Sequence, residues 1–289
     1  MLSRRTFSLT MLAGLVALTT ALGSAPAAAE DAEGVTKYVR FRAGKTVAYG
    51  IVEGDRVRQL SGNLFRSPKK TDITHALSEV KLLVPTRPTQ VLAMAGNYKS
   101  HLGDKGIPSK FQIPQPFFKS PSCLLKHGGK IVIPTDAETV HYEAEMVIVI
   151  GKRTRKVSRE DALDHVFGVT CGNDVSARVW QKSDVQWWRA KGSDTFGPCG
   201  PYIVSGLDYD NLLMTLRLNG ETRQEERTTQ LIHDVAGMVS GISQHVTLHP
   251  GDLIFTGTPG KTDVIQPGDV VEVELEGVGV LKNRVVAEK

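Results

Sequence analysis

This 289-residue chain has only three cysteines, Cys123, Cys171 and Cys199. Their odd number and the lack of any CxxC spacing argue against a disulfide framework, even in an oxidising compartment. They are expected to be small buried residues, with one disulfide plus a leftover thiol as the alternative. Excess charge is missing as well. The formal balance is +4, and Arg4 and Arg5 lie in a segment expected to be removed, which leaves +2. That is too little to argue for a nucleic-acid partner. There is no repeat, low-complexity tract or coiled coil. What remains is a soluble globular composition, 40% hydrophobic and 23% charged, with length for one large domain and a small appendage.

A long membrane-spanning run is also lacking. The opening stretch MLSRRTFSLTMLAGLVALTTALGSAPAAAE contains a twin arginine and an apolar segment from Leu9 to Leu22, short and weakly hydrophobic for a span. Small residues follow, ending at Ala27, Ala28 and Ala29. The pattern predicts a secretory signal over residues 1–29, cleaved after Ala29, with no membrane attachment afterwards. A retained anchor is its rival. Ser3 to Phe7 match the twin-arginine export pattern, so the expected location is periplasmic or secreted. That route carries folded proteins, which allows a metal to be loaded before export.

After the signal, TKYVRFRAGKTVAYGIVEGDRVRQL alternates apolar and polar residues around Gly and Asp turns. The alternation predicts a small antiparallel meander, a satellite β module over residues 35–86. Within it, the basic stretch 66–74 leads to a predicted short helix over 73–82, and residues 85–88 read as a linker. Residues 88–289 form the main domain and are mostly strand-like. Asn219-Gly220 between alternating residues is a two-residue hairpin signal. HPGD at 249–252 and QPGD at 266–269 each place a turn before a strand. Helices are predicted over 158–165, 177–189 and 231–244. The fold class that follows is α+β and β-rich, with a mixed sheet rolled or sandwiched.

The stretch HYEAEMVIVIGK carries two carboxylates at the head of an otherwise apolar run. In a strand, Glu143 and Glu145 share one face while Ala144, Met146, Ile148 and Ile150 take the other. Adjacent anions repel, and the run is too apolar for a solvated edge. A divalent cation resolves the conflict; oxygen donors suit Mg²⁺, Mn²⁺ or Ca²⁺. Two glutamates left in water at a strand end are the alternative. Asp174, in the Gly-Asn turn of CGNDVSARVWQ, offers a further ligand, although such a residue also serves as a turn cap.

From Val91 to Gly260 the pieces GNYKSH, PFFKSPSCL, IVIPTDAETVHYEAEMVIVIGK, GNDVSARVWQ, KGSDTFGPCGPYIV, LNGETRQ and HPGDLIFTGTPG follow one another. In that order they resemble the fumarylacetoacetate hydrolase family, over most of the chain beyond the signal. The resemblance implies a mixed β-roll (FAH-like fold), usually a homodimer, preceded in many members by a small N-terminal β module. It also implies a metal site of Glu143, Glu145 and Asp174 holding Mg²⁺ or Mn²⁺, with Ca²⁺ as a further candidate. A 2-oxo acid would chelate the ion through a carboxylate oxygen and its keto oxygen. The ion would act as Lewis acid and stabilise a pyruvate enolate as a carbon–carbon bond breaks.

The same resemblance assigns His101 as the catalytic base, oriented by Asp104 three residues on, where the family more often has Glu. Lys191 matches a lysine that contacts the substrate oxygen or the leaving enolate. Arg178 and Gln181 correspond to residues lining the site, although the family's acidic residue after the arginine is Val179 here. Thr258 resembles a substrate-carboxylate contact, and Lys119 a pocket lysine. His141 shares the parity of Glu143 and is expected to support the site without being a ligand. His127, His165, His233, His245 and His249 have no ligand-like spacing.

The expected activity is metal-dependent hydrolysis of acylpyruvate-type 2,4-dioxo acids. An isomerase, decarboxylase or lyase of related 2-oxo acids on the same site is the enzymatic alternative. An exported, non-catalytic oxo-acid binder is the alternative from another class, and His101, Asp104 and Lys191 argue against it, since a binder needs no base.

Overall fold

The computed structural model describes residues 34–103 and 106–289. The predicted signal at residues 1–29 and the predicted orienting residue Asp104 lie outside the described residues.

Two large sheets, with a two-stranded pair of Val140–His141 and Ser176–Ala177 beside them, carry the described chain. The larger runs Lys69–Ala76, Arg56–Ser61, Thr46–Glu53, Thr36–Ala43, Gly197–Ser205, Val166–Asn173, Ala144–Ile150, Leu253–Phe255, Val91–Met94, Pro116–Lys119. Its neighbours along that path are antiparallel except Leu253–Phe255 with Val91–Met94. The second sheet runs Glu221–Arg227, Leu213–Leu218, Val270–Leu275, Gly279–Ala287, Lys130–Ile133, and its last pair is parallel. The β-rich, mixed architecture expected from the sequence is the one present.

The glutamate strand, Ala144–Ile150, lies inside the large sheet and is buried throughout. Its alternation divides the core. Met146, Ile148 and Ile150 enter the main cluster, which joins both sheets through residues such as Met214, Val271, Val273 and Leu281. Val147 and Val149 enter a second cluster with Val91, Leu253 and Phe255. Glu143 and Glu145 share the parity of this valine row, so the carboxylates stand at the end of an apolar face.

The N-terminal meander forms as the alternation requires, around Val39, Phe41 and Val57. Its first strand pairs with Gly197–Ser205, from Thr36 opposite Ser205 to Val39 opposite Tyr202, and so continues the large sheet. That pairing satisfies backbone groups a detached module would leave open on an edge.

The short helices differ from expectation. Over 73–82 the chain forms the strand Lys69–Ala76, a 3₁₀ turn Leu77–Glu79 and the two-residue strand Lys81–Leu82. Pairing with Arg56–Ser61 gives this segment backbone partners that outweigh its weak helical preference. The helix over 158–165 reduces to the 3₁₀ turn Ala162–His165. The one over 177–189 divides into Arg178–Ser183 and Trp188–Gly192. The helix over 231–244 starts late, at Val235, because the Asp234 side chain accepts the Gly237 N–H at 2.8 Å and caps it there. Asn219 and Gly220 both have positive φ, 55° and 86°, as the predicted hairpin turn requires. No helix among the described residues is long and apolar enough to cross a membrane.

Candidate active site

Glu143 immediately precedes the glutamate strand, and Asp174 immediately follows the neighbouring strand Val166–Asn173. Antiparallel register brings the two together, with the Asp174 N–H donating to the Glu143 carbonyl at 2.9 Å. Glu145 lies one pleat further in, opposite Gly172. A side chain at Gly172 would strike Val147 at 2.4 Å and the Phe255 ring at 2.7 Å, so only glycine lets the strands close behind the carboxylates. One oxygen from each of Glu143, Glu145 and Asp174 falls within 4.8 Å of the others.

Three cations face these anions. Lys119, at the end of Pro116–Lys119, donates to Asp174 Oδ1 at 2.5 Å and also to the Lys191 carbonyl. Lys191, in the helix Trp188–Gly192, donates to Glu143 Oε2 at 2.6 Å and Asp174 Oδ2 at 2.7 Å. Arg178 pairs with Glu143 Oε1 at 2.6 Å and donates to Gln181 Oε1 at 2.8 Å. Both lysines and all three carboxylates are buried.

The two glutamates are held differently. Burial pushes the Glu143 carboxyl up, but the Lys191 and Arg178 charges outweigh it and bring the group down to about 2. The Glu145 carboxyl is raised well above the usual range by burial and by the negative Asp174 and Glu143. Burial alone would lower the Lys119 ammonium, yet Asp174 beside it raises it. Glu145 Oε2 accepts the Gly257 N–H at 2.7 Å, while Glu145 Oε1 is buried with no hydrogen-bond partner. A buried carboxylate oxygen without a partner, among two further oxygen donors, fits a hard divalent cation. Glu143, Glu145 and Asp174 would hold it.

His101 comes from the one-turn helix Lys99–Leu102. Its Nδ1 lies 2.7 Å from the Gly260 carbonyl, which can only accept, so Nδ1 carries the proton, and Nε2 has no hydrogen-bond partner among the described residues. Facing loops hold this arrangement. The Asn97 amide donates to the Thr256 carbonyl at 2.8 Å and the His233 carbonyl at 3.1 Å, and its Oδ1 accepts the His233 N–H at 2.8 Å. Gly257, with φ of 100°, passes so close to Asn97 that a Cβ would lie 2.9 Å from the Asn97 Cβ.

A cavity of about 320 Å³ is lined by the sequence-singled residues His101, Glu143, Arg178, Gln181, Lys191 and Thr258. Lys119, Glu145 and Asp174 join them through the hydrogen bonds and proximity described above. His141 stands aside: its Nδ1 meets Thr262 Oγ1 at 3.0 Å, and Thr262 also accepts from Arg178 at 2.7 Å.

Sequence reading passed over Gln224. Its Oε1 accepts the Ala144 N–H at 3.0 Å, and its Nε2 donates to Thr258 Oγ1 at 3.0 Å and the Pro259 carbonyl at 2.6 Å. It therefore bolts the glutamate strand to the Thr258 loop across the two sheets. Asn173 and Asn97 were also missed as supports; Asn173 Oδ1 accepts the Glu143 N–H at 2.9 Å. For Asn97 and Asn173 the available signal was a polar residue ending an apolar run, where burial is expected; Gln224 lies in a polar stretch and carried no such signal.

Comparisons with known proteins identify the family. A family model described as fumarylacetoacetate (FAA) hydrolase, C-terminal, matches residues 90–286, and one described as Rv2993c-like, N-terminal, matches 36–85. The mitochondrial oxaloacetate tautomerase FAHD2A of Bos taurus is 38% identical over 222 residues, covering 72% of this chain and 70% of that protein. Among solved structures, a 2-hydroxyhepta-2,4-diene-1,7-dioate isomerase from Mycobacterium marinum is similar with TM-score 0.81 and 38% identity, covering 88% of this chain and 99% of that one. A maleylpyruvate hydrolase from Sphingobium sp. SYK-6, in complex with manganese(II) and pyruvate, is similar with TM-score 0.73 and 28% identity, covering 88% of this chain and 100% of that one. Members of the family are enzymes acting on small molecules, and they typically bind a divalent metal. With the motifs, the fold and the match over residues 90–286 in agreement, the chain belongs to the fumarylacetoacetate hydrolase family.

Proposed function

We propose that the protein is a divalent-metal-dependent hydrolase that cleaves acylpyruvate-type 2,4-dioxo acids into pyruvate and a carboxylic acid. The observation that carries this reading is the cavity in which His101, its Nδ1 held by the Gly260 carbonyl, faces Glu143 and Lys191. Mg²⁺ or Mn²⁺ bound by Glu143, Glu145 and Asp174 would supply Lewis-acid polarisation of the 2-keto oxygen. Arg178, Gln181 and Thr258 bind and orient the substrate's carboxylate half. His101 Nε2 takes a proton from water, and the water oxygen bonds to the distal acyl carbon. The bond from that carbon to C3 breaks, and its electron pair passes into the pyruvate half as an enolate. Lys191, a fixed buried cation, stabilises the charge as it develops. The proton held by His101 returns to C3.

The test is a panel of acylpyruvates, oxaloacetate and muconate-derived acids, each assayed with Mg²⁺ or Mn²⁺ and again with chelator. Activity on acylpyruvates that disappears with the metal, and in His101→Ala, is expected. Activity surviving full metal removal or the His101 change would sink the mechanism. Binding of the acids without turnover of any would favour the exported binder.

A second reading is keto–enol isomerisation or tautomerisation on the same site. The names of the Bos taurus and M. marinum proteins favour it. Product identification separates the two, because isomerisation releases no pyruvate from an acylpyruvate.

The reading also includes export by the twin-arginine route with cleavage after Ala29, a division between residues 35–86 and 88–289, and a homodimer. A mature protein beginning at Glu30 in the cell-envelope or external fraction, and a dimer mass by light scattering, are the expected results.

A further inference from the structure

The site cavity has a neighbour. Ala95, Phe117 and Trp187 line both it and a second cavity of about 460 Å³. Beyond that shared wall the second cavity is walled by Phe118, Val185 and Trp188, which are 60%, 102% and 70% exposed. Its polar side chains, Gln115 and Gln186, carry no charge, and among the described residues no Lys, Arg, His, Asp or Glu lines it.

The shared wall is tied to the chemistry. Phe117 has the strand parity of Lys119, and its ring lies 5.6 Å from the Lys191 ammonium. Trp187 meets Phe117 edge-on, with centroids 5.0 Å apart and planes at 77°. The Trp187 carbonyl accepts the Lys191 N–H at 3.0 Å, at the start of the helix that carries Lys191. The two rings therefore stand between the charged floor and the aromatic-walled chamber, and each is anchored to the element that presents a site lysine.

We propose that this chamber seats the substituent on the distal carbonyl of the substrate, and that the substituent is an uncharged aromatic or bulky apolar group. The proposal rests on the function proposed above, since the charged floor is what fixes the 2-oxo acid half. With that half held against Arg178 and Lys191, the acyl substituent must leave the floor, and the adjoining space is aromatic. A second carboxylate, such as the dioate named for the M. marinum isomerase carries, would meet no cation among the described residues of this chamber. A ring would meet Phe117, Phe118, Trp187 and Trp188.

The test uses the full mature protein loaded with Mn²⁺ and compares benzoylpyruvate, acetylpyruvate and fumarylpyruvate. Tryptophan fluorescence reads binding and pyruvate release reads turnover. Benzoylpyruvate is expected to bind, and if hydrolysed to show kcat/KM, at least tenfold better than either other acid. Phe118→Ala with Trp188→Ala, at exposed positions that leave the core intact, is expected to reduce that ratio fivefold or more. Preference for fumarylpyruvate overturns the proposal. So does a ratio unchanged in the double variant, including the case in which the variant alters only the oligomeric state. Because binding is read separately, ring-selective binding without pyruvate release would overturn the hydrolase reading and leave the chamber assignment standing.

Discussion

Ion pairs occur both under the candidate site and on the exposed face of the second sheet, and the contrast between them is instructive. On the sheet, Arg217 pairs with Glu274 at 2.5 Å and Lys282 with Glu272 at 3.0 Å, with at least one partner of each pair substantially exposed. Under the site, Lys119, Lys191, Asp174 and Glu143 pair at similar distances with side chains at most 7% exposed. Water screens the first set and is excluded from the second. Distance alone therefore says little about what an ion pair does. Burial makes the inner set interdependent, so that removing one member leaves its neighbours short of a partner with no water to replace it.

The largest expected effect tests that interdependence. Lys191→Ala leaves Glu143 and Asp174 each short of a partner, and breaking a buried pair costs about 3–5 kcal/mol. Urea denaturation in chelator should show a loss of that size; a loss under about 1 kcal/mol would erase the contrast between the two sets.

Next comes the metal. Changing a residue that supports a ligand costs about 10–100-fold in metal affinity, so Glu145→Gln, which alters a ligand itself, should weaken Mn²⁺ binding by about 100-fold or more. Calorimetric titration checks it, and undiminished affinity would remove Glu145 from the site.

Glu145 also sets a pH dependence. Its carboxyl is raised in the folded, metal-free protein by burial, Asp174 and Glu143. A raised folded-state pKa contributes stability that is complete below the unfolded carboxylate range and is lost as pH rises through the folded value. In chelator, the stability of wild type relative to Glu145→Gln should therefore fall as pH climbs above the ordinary carboxylate range. A flat difference across a pH series would contradict it.

Gln224→Leu should be smaller still. It strands the Ala144 N–H and frees the Thr258 loop, at about 1–3 kcal/mol, and its signature should be a raised KM. Arg217→Ala closes the series at about 0.2–1 kcal/mol.

Much of the floor was legible in the sequence because strand parity and register are short-range rules. Glu143 and Glu145 had to share a face, and a turn after the neighbouring strand put Asp174 beside them. The order of motifs then brought His101 and Lys191 to the same place. Gln224 was not legible, because its three partners lie 34 to 80 residues away on other strands and loops. The helix over 73–82 was misread for a related reason: weak local preference yields to long-range pairing, which no window of sequence contains, whereas 158–165 closes into local turns. The late start of the helix at Val235 was written locally, in Asp234, and the apolar spacing drew attention away from it.

The Asn97 side chain spans a separation of 159 residues to reach the carbonyl of Thr256. A contact of that range is slow to form, because the intervening chain must be ordered before the bond rewards it. During synthesis, the GNYKSH loop emerges long before its anchor exists. The glutamate strand likewise waits for Gly257 to cover Glu145. A nascent chain can thus build its meander and much of its sheet while its acidic floor stays open. Closure of the site marks the arrival of the last quarter of the polypeptide.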